Sequence, residues 1–182
     1  MWVALRWVTP DRAVPAVTDV DINGLSASGI RGIILDLDNT IVAWNAAAPS
    51  PEVAAWVTRL QAAGLAGCIV SNNLTGRARA IAAALGVSVV IGAVKPAPWA
   101  LRRAVRLMGT TPETTVVIGD QLFTDVLGGN LAGMHTILVE PLSRQEFFTT
   151  KIVRALERTI RAKVIRGIAG SRDHGIPNRS AP

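Results

Sequence analysis

The stretch GIILDLDNTIV, residues 32–42, opens on an unbroken apolar run and then sets Asp36 and Asp38 two residues apart. A short run without polar alternation reads as a strand buried on both faces, here Gly32 to Leu37. Outward from it the same unit recurs. Pro51 to Ala63 reads as a helix with Pro and Glu in its first turn, and Gly67 to Ser71 as the next strand. Thr75 to Leu85 is a helix closed by Gly86, Ser88 to Ile91 a third strand, and Pro98 to Met108 a helix closed by Gly109. Thr115 to Gly119 and His135 to Val139 are two more strands, joined by a helix over Thr124 to Ala132. Buried strands alternating with helices predict an α/β fold, a doubly wound parallel sheet of about five strands.

The 182 residues suit one such domain, expected over 1–150, with 1–29 as an N-terminal extension packing on it. The formal charge is +6, which invites a reading as a nucleic-acid binder. Its position argues otherwise. Residues 151–182 hold eight basic residues against Glu157 and Asp173, so residues 1–150 are neutral overall. A single cysteine, Cys68, excludes an internal disulfide and a multi-cysteine zinc site, and fits a reducing cytoplasm. The longest uncharged runs, Leu60 to Gly76 and Ile81 to Val94, are broken by Gly and Asn or too short for a membrane span.

In a doubly wound sheet, ligands bind beyond the carboxyl ends of the strands. There the sequence places Asp36, Asp38, Asn39 and Thr40, then Ser71, Asn72 and Asn73, then Lys95, then Asp120 and Asp125. Carboxylates crowded together repel unless a cation sits among them, and an all-oxygen set favours Mg²⁺ over zinc or copper. Lys95 and the Ser71 hydroxyl supply the opposite need, a cradle for an anion. Metal, carboxylate nucleophile and anion cradle together suit phosphoryl transfer. One carboxylate attacks phosphorus, and a second protonates the leaving alcohol and then activates water.

The segment IILDLDNTIV resembles the first motif of haloacid-dehalogenase-type (HAD) phosphatases, four apolar positions before DxDxT. Ser71, the pair Lys95–Pro96 and GDQLFTD at 119–125 follow in the order of that family's other motifs. GIRGIILDLDNTIVAWN, IVSNN, VKPAPWALRRA, VIGDQLFTDVLGGN and HTILVEPL are similar to the YqeG branch, the class IIIA group related to phosphatidylglycerophosphate phosphatases. The resemblance implies a HAD-like fold with Asp36 as nucleophile and Asp38 as general acid/base. It implies a Mg²⁺ site from Asp36, the Asp38 backbone carbonyl, Asp120 and Asp125, the last a ligand or an acid behind one. It further implies phosphate contacts from Ser71 and Lys95, to which Thr40 and Asn72 are added as candidates.

Only 33 residues separate Asp38 from Ser71, and 24 separate Ser71 from Lys95, so neither gap has room for a cap domain. An uncapped site suits a phosphate carried on something large, such as a lipid head group. Residues 151–166 form a basic amphipathic helix on paper, with Ile152, Val153, Leu156, Ile160 and Val164 on one side and Lys151, Arg154, Arg158 and Arg161 opposite. The remaining C-terminal tail reads as frayed. Such a helix lies in an anionic membrane interface or packs on the domain. The expectation is thus a Mg²⁺-dependent phosphatase for phosphatidylglycerophosphate, cytoplasmic and peripheral on the inner membrane face. A soluble phosphatase for another phosphoester, and an RNA- or partner-binding module with a vestigial site, are the competing readings.

Overall fold

Six parallel strands form one sheet in the order β1-β6-β5-β2-β3-β4. They are β1 (Arg12–Val14), β2 (Gly32–Leu35), β3 (Ala66–Ser71), β4 (Ser88–Ile91), β5 (Thr115–Gly119) and β6 (His135–Val139). The helices are α1 (Ile22–Ala27), α2 (Pro51–Ala62), α3 (Gly76–Leu85), α4 (Trp99–Met108) and α5 (Leu127–Ala132). The computed structural model describes residues 6–44, 46–74 and 76–143. The basic segment 151–166 and the tail after it lie outside the described residues.

Alternate residues of the buried strands serve opposite faces, as the two-residue period of a strand requires. Ile33, Leu35, Ile69 and Ile118 pack toward α2 and α3, where Trp56, Leu60 and Ile81 close the layer. Ile34, Cys68, Val70 and Val117 pack on the other face against Leu101, Ala104 and Val105 of α4. Trp56 is fully buried, and its indole N–H donates to the Val20 carbonyl at 3.3 Å, so the ring carries no unmet donor. Ser50 caps α2 by accepting from the Val53 N–H, with Pro51 at the first helical position. On α5, a Cβ at Gly129 would stand 2.5 Å from Thr136 Cγ2, so only glycine lets that helix lie so close to the sheet.

The five expected strands are present, and Arg12–Val14 adds a sixth on the edge. Its register pairs Arg12 with Ile137 and Val14 with Val139. Asp11 fastens it, donating its N–H to the Thr136 carbonyl at 3.0 Å while Oδ2 accepts from the Thr136 N–H at 2.8 Å. Three residues between Pro10 and Pro15 carry no strand signal of their own, so the pairing with β6 decides their conformation. The other departure lies in the helix expected over 124–132. Leu122–Val126 form a wider π-turn before α5, in which the Val126 N–H donates to the Gln121 carbonyl at 3.3 Å. Such single wide turns recur at functional sites.

Cys68 sits inside β3 with no exposed surface, and burial pushes its thiol up to about 12. The native protein is therefore expected to give no reaction with a disulfide reagent at neutral pH, and one thiol after unfolding. Titration with and without denaturant checks this.

Candidate active site

Parallel pairing sends β2, β3, β4 and β5 out of the sheet in one direction, so their carboxyl ends share an edge. Asp36 extends the ladder one step beyond β2, donating its N–H to the Ile118 carbonyl at 2.9 Å. The chain then turns at Asn39, whose φ of 63° is left-handed, a region asparagine tolerates better than most residues. The Asn39 N–H donates to the Val42 carbonyl at 2.8 Å, and its own carbonyl accepts from the Leu142 N–H at 2.9 Å. Ser143 Oγ donates to Asn39 Oδ1 at 2.7 Å, so the segment after β6 is fastened to the rim of the site.

Asp36, Asp120 and Asp125 converge, each offering a carboxylate oxygen within 4.8 Å of the others, and all three are buried. Lys95 reaches into the group. Its Nζ pairs with Asp36 Oδ1 and with Asp125 Oδ1, the latter at 2.7 Å. Asp125 arrives on the π-turn, where Oδ2 accepts from the Gln121 N–H at 3.2 Å. Its carboxylate crosses directly over Gly119, where an added Cβ would stand 2.3 Å from Asp125 Cγ. Glycine at the end of β5 is thus a condition for the cluster to form.

Among the described residues, three carboxylates face one ammonium, an excess of buried negative charge. Burial pushes the Asp36 carboxyl up to about 6, with Lys95 opposing and Asp125 and Asp38 adding to the rise. Burial works against the Lys95 ammonium, but the Asp125 and Asp36 carboxylates outweigh it and hold its pKa above the ordinary lysine value. An all-oxygen, net-anionic cluster of this kind fits a hard divalent cation.

The Asp38 carboxylate stands apart from the cluster and is paired with the Arg77 guanidinium. Arg77, in the first turn of α3, also donates to the Ala46 carbonyl at 2.8 Å, tying that helix to the loop after Asp38. The sequence reading missed Arg77. The available signal was a cation in a helix's first turn, where the dipole disfavours it and another partner must hold it. The Thr40 hydroxyl, a candidate phosphate contact, lies between carboxylates, 3.3 Å from Asp36 Oδ2 and 3.4 Å from Asp120 Oδ1. Ser71 is buried at the end of β3, with Oγ accepting from the Asn73 N–H at 3.1 Å. Asn72 Oδ1 accepts from the Lys95 N–H at 2.9 Å, so this side chain positions the lysine's backbone. Among the described residues the gap from Asp38 to Ser71 holds α2 and β3, and that from Ser71 to Lys95 holds α3 and β4.

Residues 92–141, which carry Lys95, Asp120 and Asp125, match the HAD-hydrolase-like family. The probable phosphatase YqeG of Bacillus subtilis is 40% identical over 155 residues, spanning 85% of this chain and 90% of that protein. The chain belongs to the HAD-type phosphatases. Within this family it is also similar to phosphatidylglycerophosphate phosphatase 1, chloroplastic/mitochondrial, of Arabidopsis thaliana. The identity there is 29% over 181 residues, covering 94% of this chain and 52% of that protein. The chain thus spans about half the length of the plant relative. Its HAD fold is similar to that of the cobalt-bound deoxy-D-mannose-octulosonate 8-phosphate phosphatase (YrbI) of Haemophilus influenzae. The TM-score is 0.52 at 15% identity, over 80% of this chain and 95% of that one.

Proposed function

We propose that this HAD-type phosphatase hydrolyses a phosphomonoester on a phospholipid head group, with phosphatidylglycerophosphate as its substrate. The observation that carries the chemistry is the buried set of Asp36, Asp120 and Asp125 with Lys95 among them, at the mouth of an uncapped sheet edge. The substrate assignment is supported by the likeness to the plant phosphatidylglycerophosphate phosphatase.

Asp36 attacks phosphorus, the bond from phosphorus to the alcohol oxygen breaks, and Asp38 gives that oxygen its proton. Water then attacks the aspartyl-phosphate and passes its proton to Asp38; inorganic phosphate leaves and Asp36 is restored. Lys95 holds the phosphoryl oxygens beside the nucleophile, and Ser71 contributes its hydroxyl at the same edge. Asp36, Asp120 and Asp125, with the Asp38 backbone carbonyl, would hold Mg²⁺, which supplies positive charge against the transferring group. Asn72 and Thr40 act at one remove, through the Lys95 backbone and the carboxylate pair respectively.

Phosphate release from a panel of phospholipid, sugar and peptide phosphoesters tests this, run with Mg²⁺ and with chelator. Fastest turnover on phosphatidylglycerophosphate, lost to background in chelator, is the expected result. Preference for a soluble ester overturns the substrate, and full activity in chelator overturns the metal.

A further inference from the structure

We infer that the rim of the active site, formed by the loops after β3 and β4, is itself the surface that docks on an anionic lipid bilayer. This rests on the lipid substrate proposed above and adds the face of the molecule that meets the membrane. Large apolar side chains are exposed at three neighbouring points of that rim: Leu74 at 75%, Val94 at 67% and Trp99 at 46%. They flank functional positions. Leu74 follows Ser71 and Asn72, Val94 precedes Lys95, and Trp99 opens α4.

The two loops are tied to each other. The Gly92 N–H donates to the Asn73 carbonyl at 3.4 Å and the Ala93 N–H to the Ser71 carbonyl at 3.1 Å. Asn72 Oδ1 holds the Lys95 N–H at 2.9 Å, and Leu74 lies against Gly92. Val94 has a φ of 48°, a left-handed conformation that is a genuine outlier for a β-branched residue. Strain of this kind persists where surrounding structure enforces it, and here it turns a valine outward while Lys95 turns in.

Charge identifies the occupant. From Val53 to Pro112 the chain has seven basic residues and no acid, of which Arg77 and Lys95 pair with carboxylates of the site. This stretch builds most of α2 and then β3, α3, β4 and α4, the half of the sheet that ends at β4 and the helices on it. Arg102 and Arg103, within the first turns of α4 beside Trp99, are exposed and make no ion pair with a described residue. Apolar tips beside the exposed Arg102 and Arg103 complement the interfacial region of an anionic bilayer, where acyl chains take the tips and head groups the cations. A nucleic-acid surface would meet the arginines but leave Leu74 and Val94 in water.

Cys68 is buried and unreactive, so a cysteine introduced in the full chain can be labelled at one site. An environment-sensitive dye on Leu74→Cys is compared with one on Glu113→Cys, an exposed position in the turn leading into β5 at the opposite end of the sheet. Vesicles of phosphatidylcholine alone, and of equal parts phosphatidylcholine and phosphatidylglycerol, are added in turn. A blue shift at position 74 only, and only with phosphatidylglycerol, is expected. The double variant Leu74→Ser/Trp99→Ser is expected to lose about tenfold in vesicle affinity. It should keep the wild-type rate on soluble p-nitrophenyl phosphate. Vesicle binding without a shift at position 74 overturns the rim as the docking face, as does RNA binding in the absence of any vesicle-induced shift. Because the dye reads contact without turnover, a shifted dye with no phosphatidylglycerophosphate hydrolysis sinks the substrate and leaves the docking face standing.

Discussion

Asp36→Asn is expected to lower kcat by about 10⁴–10⁶-fold, the scale seen when the nucleophile of a covalent mechanism is removed. The same change is expected to stabilise the chelated protein. Burial lifts the Asp36 carboxyl from 3.8 to about 6, so the folded state holds its proton more tightly than the unfolded chain does. Below pH 3.8 the group is neutral in both states and contributes nothing. As pH rises toward 6 the unfolded chain ionises first and stability falls, and above about 6 the full penalty is present. Its size is about 3 kcal/mol. An asparagine never ionises and so escapes it. Urea unfolding in chelator should therefore show the variant more stable at neutral pH, with the difference shrinking as pH falls. Equal stability across the range would remove the charge crowding inferred at the site.

Lys95→Met carries the opposite sign. The lysine is the cation that the described residues bring to Asp36 and Asp125, and it is itself buried. Removing it strands Asp36 and Asp125 without their partner, and breaking a buried pair from one side destabilises by about 3–5 kcal/mol. The loss should be largest in chelator and partly recovered by Mg²⁺, since a divalent ion supplies the missing charge to the same oxygens. Activity should fall by about 10²–10³-fold even with Mg²⁺ saturating, because the transferred group loses a charged donor. Denaturation midpoints with and without Mg²⁺, alongside steady-state kinetics, separate these effects. A variant as stable in chelator as in Mg²⁺ would count against the cluster as the metal's seat.

Much of this was legible in the chain because its signals are local. An apolar run such as Ile33 to Leu35 has little alternative to a buried strand, and each acid or base of interest follows such a run directly. What the sequence concealed depends on docking. Asp38 meets Arg77 across 39 positions, and only the seating of α3 brings them together. Thr40 carries the same hydroxyl whether it faces phosphate or carboxylate, so its place between Asp36 and Asp120 is a fact of packing. The π-turn at Leu122–Val126 differs from an α-turn by one step in hydrogen-bond partner, which composition does not encode. Charge was legible in sum and by segment. Within the neutral body the run from Val53 to Pro112 carries no acid, so the carboxylates that pair its Arg77 and Lys95 come from elsewhere in the chain.

The edge pairing of β1 with β6 sets a schedule for synthesis. Thr136, which receives Asp11, leaves the ribosome 125 positions after it. At ordinary rates of about 5–20 residues per second that is an interval of roughly 6–25 s. Through it β1 lacks β6, the strand it pairs with, while β2, β3 and β4 can already assemble around the first aspartates. The outer half of the sheet therefore forms last, and a ribosome stalled before His135 holds a nascent chain whose first strand has nowhere to go.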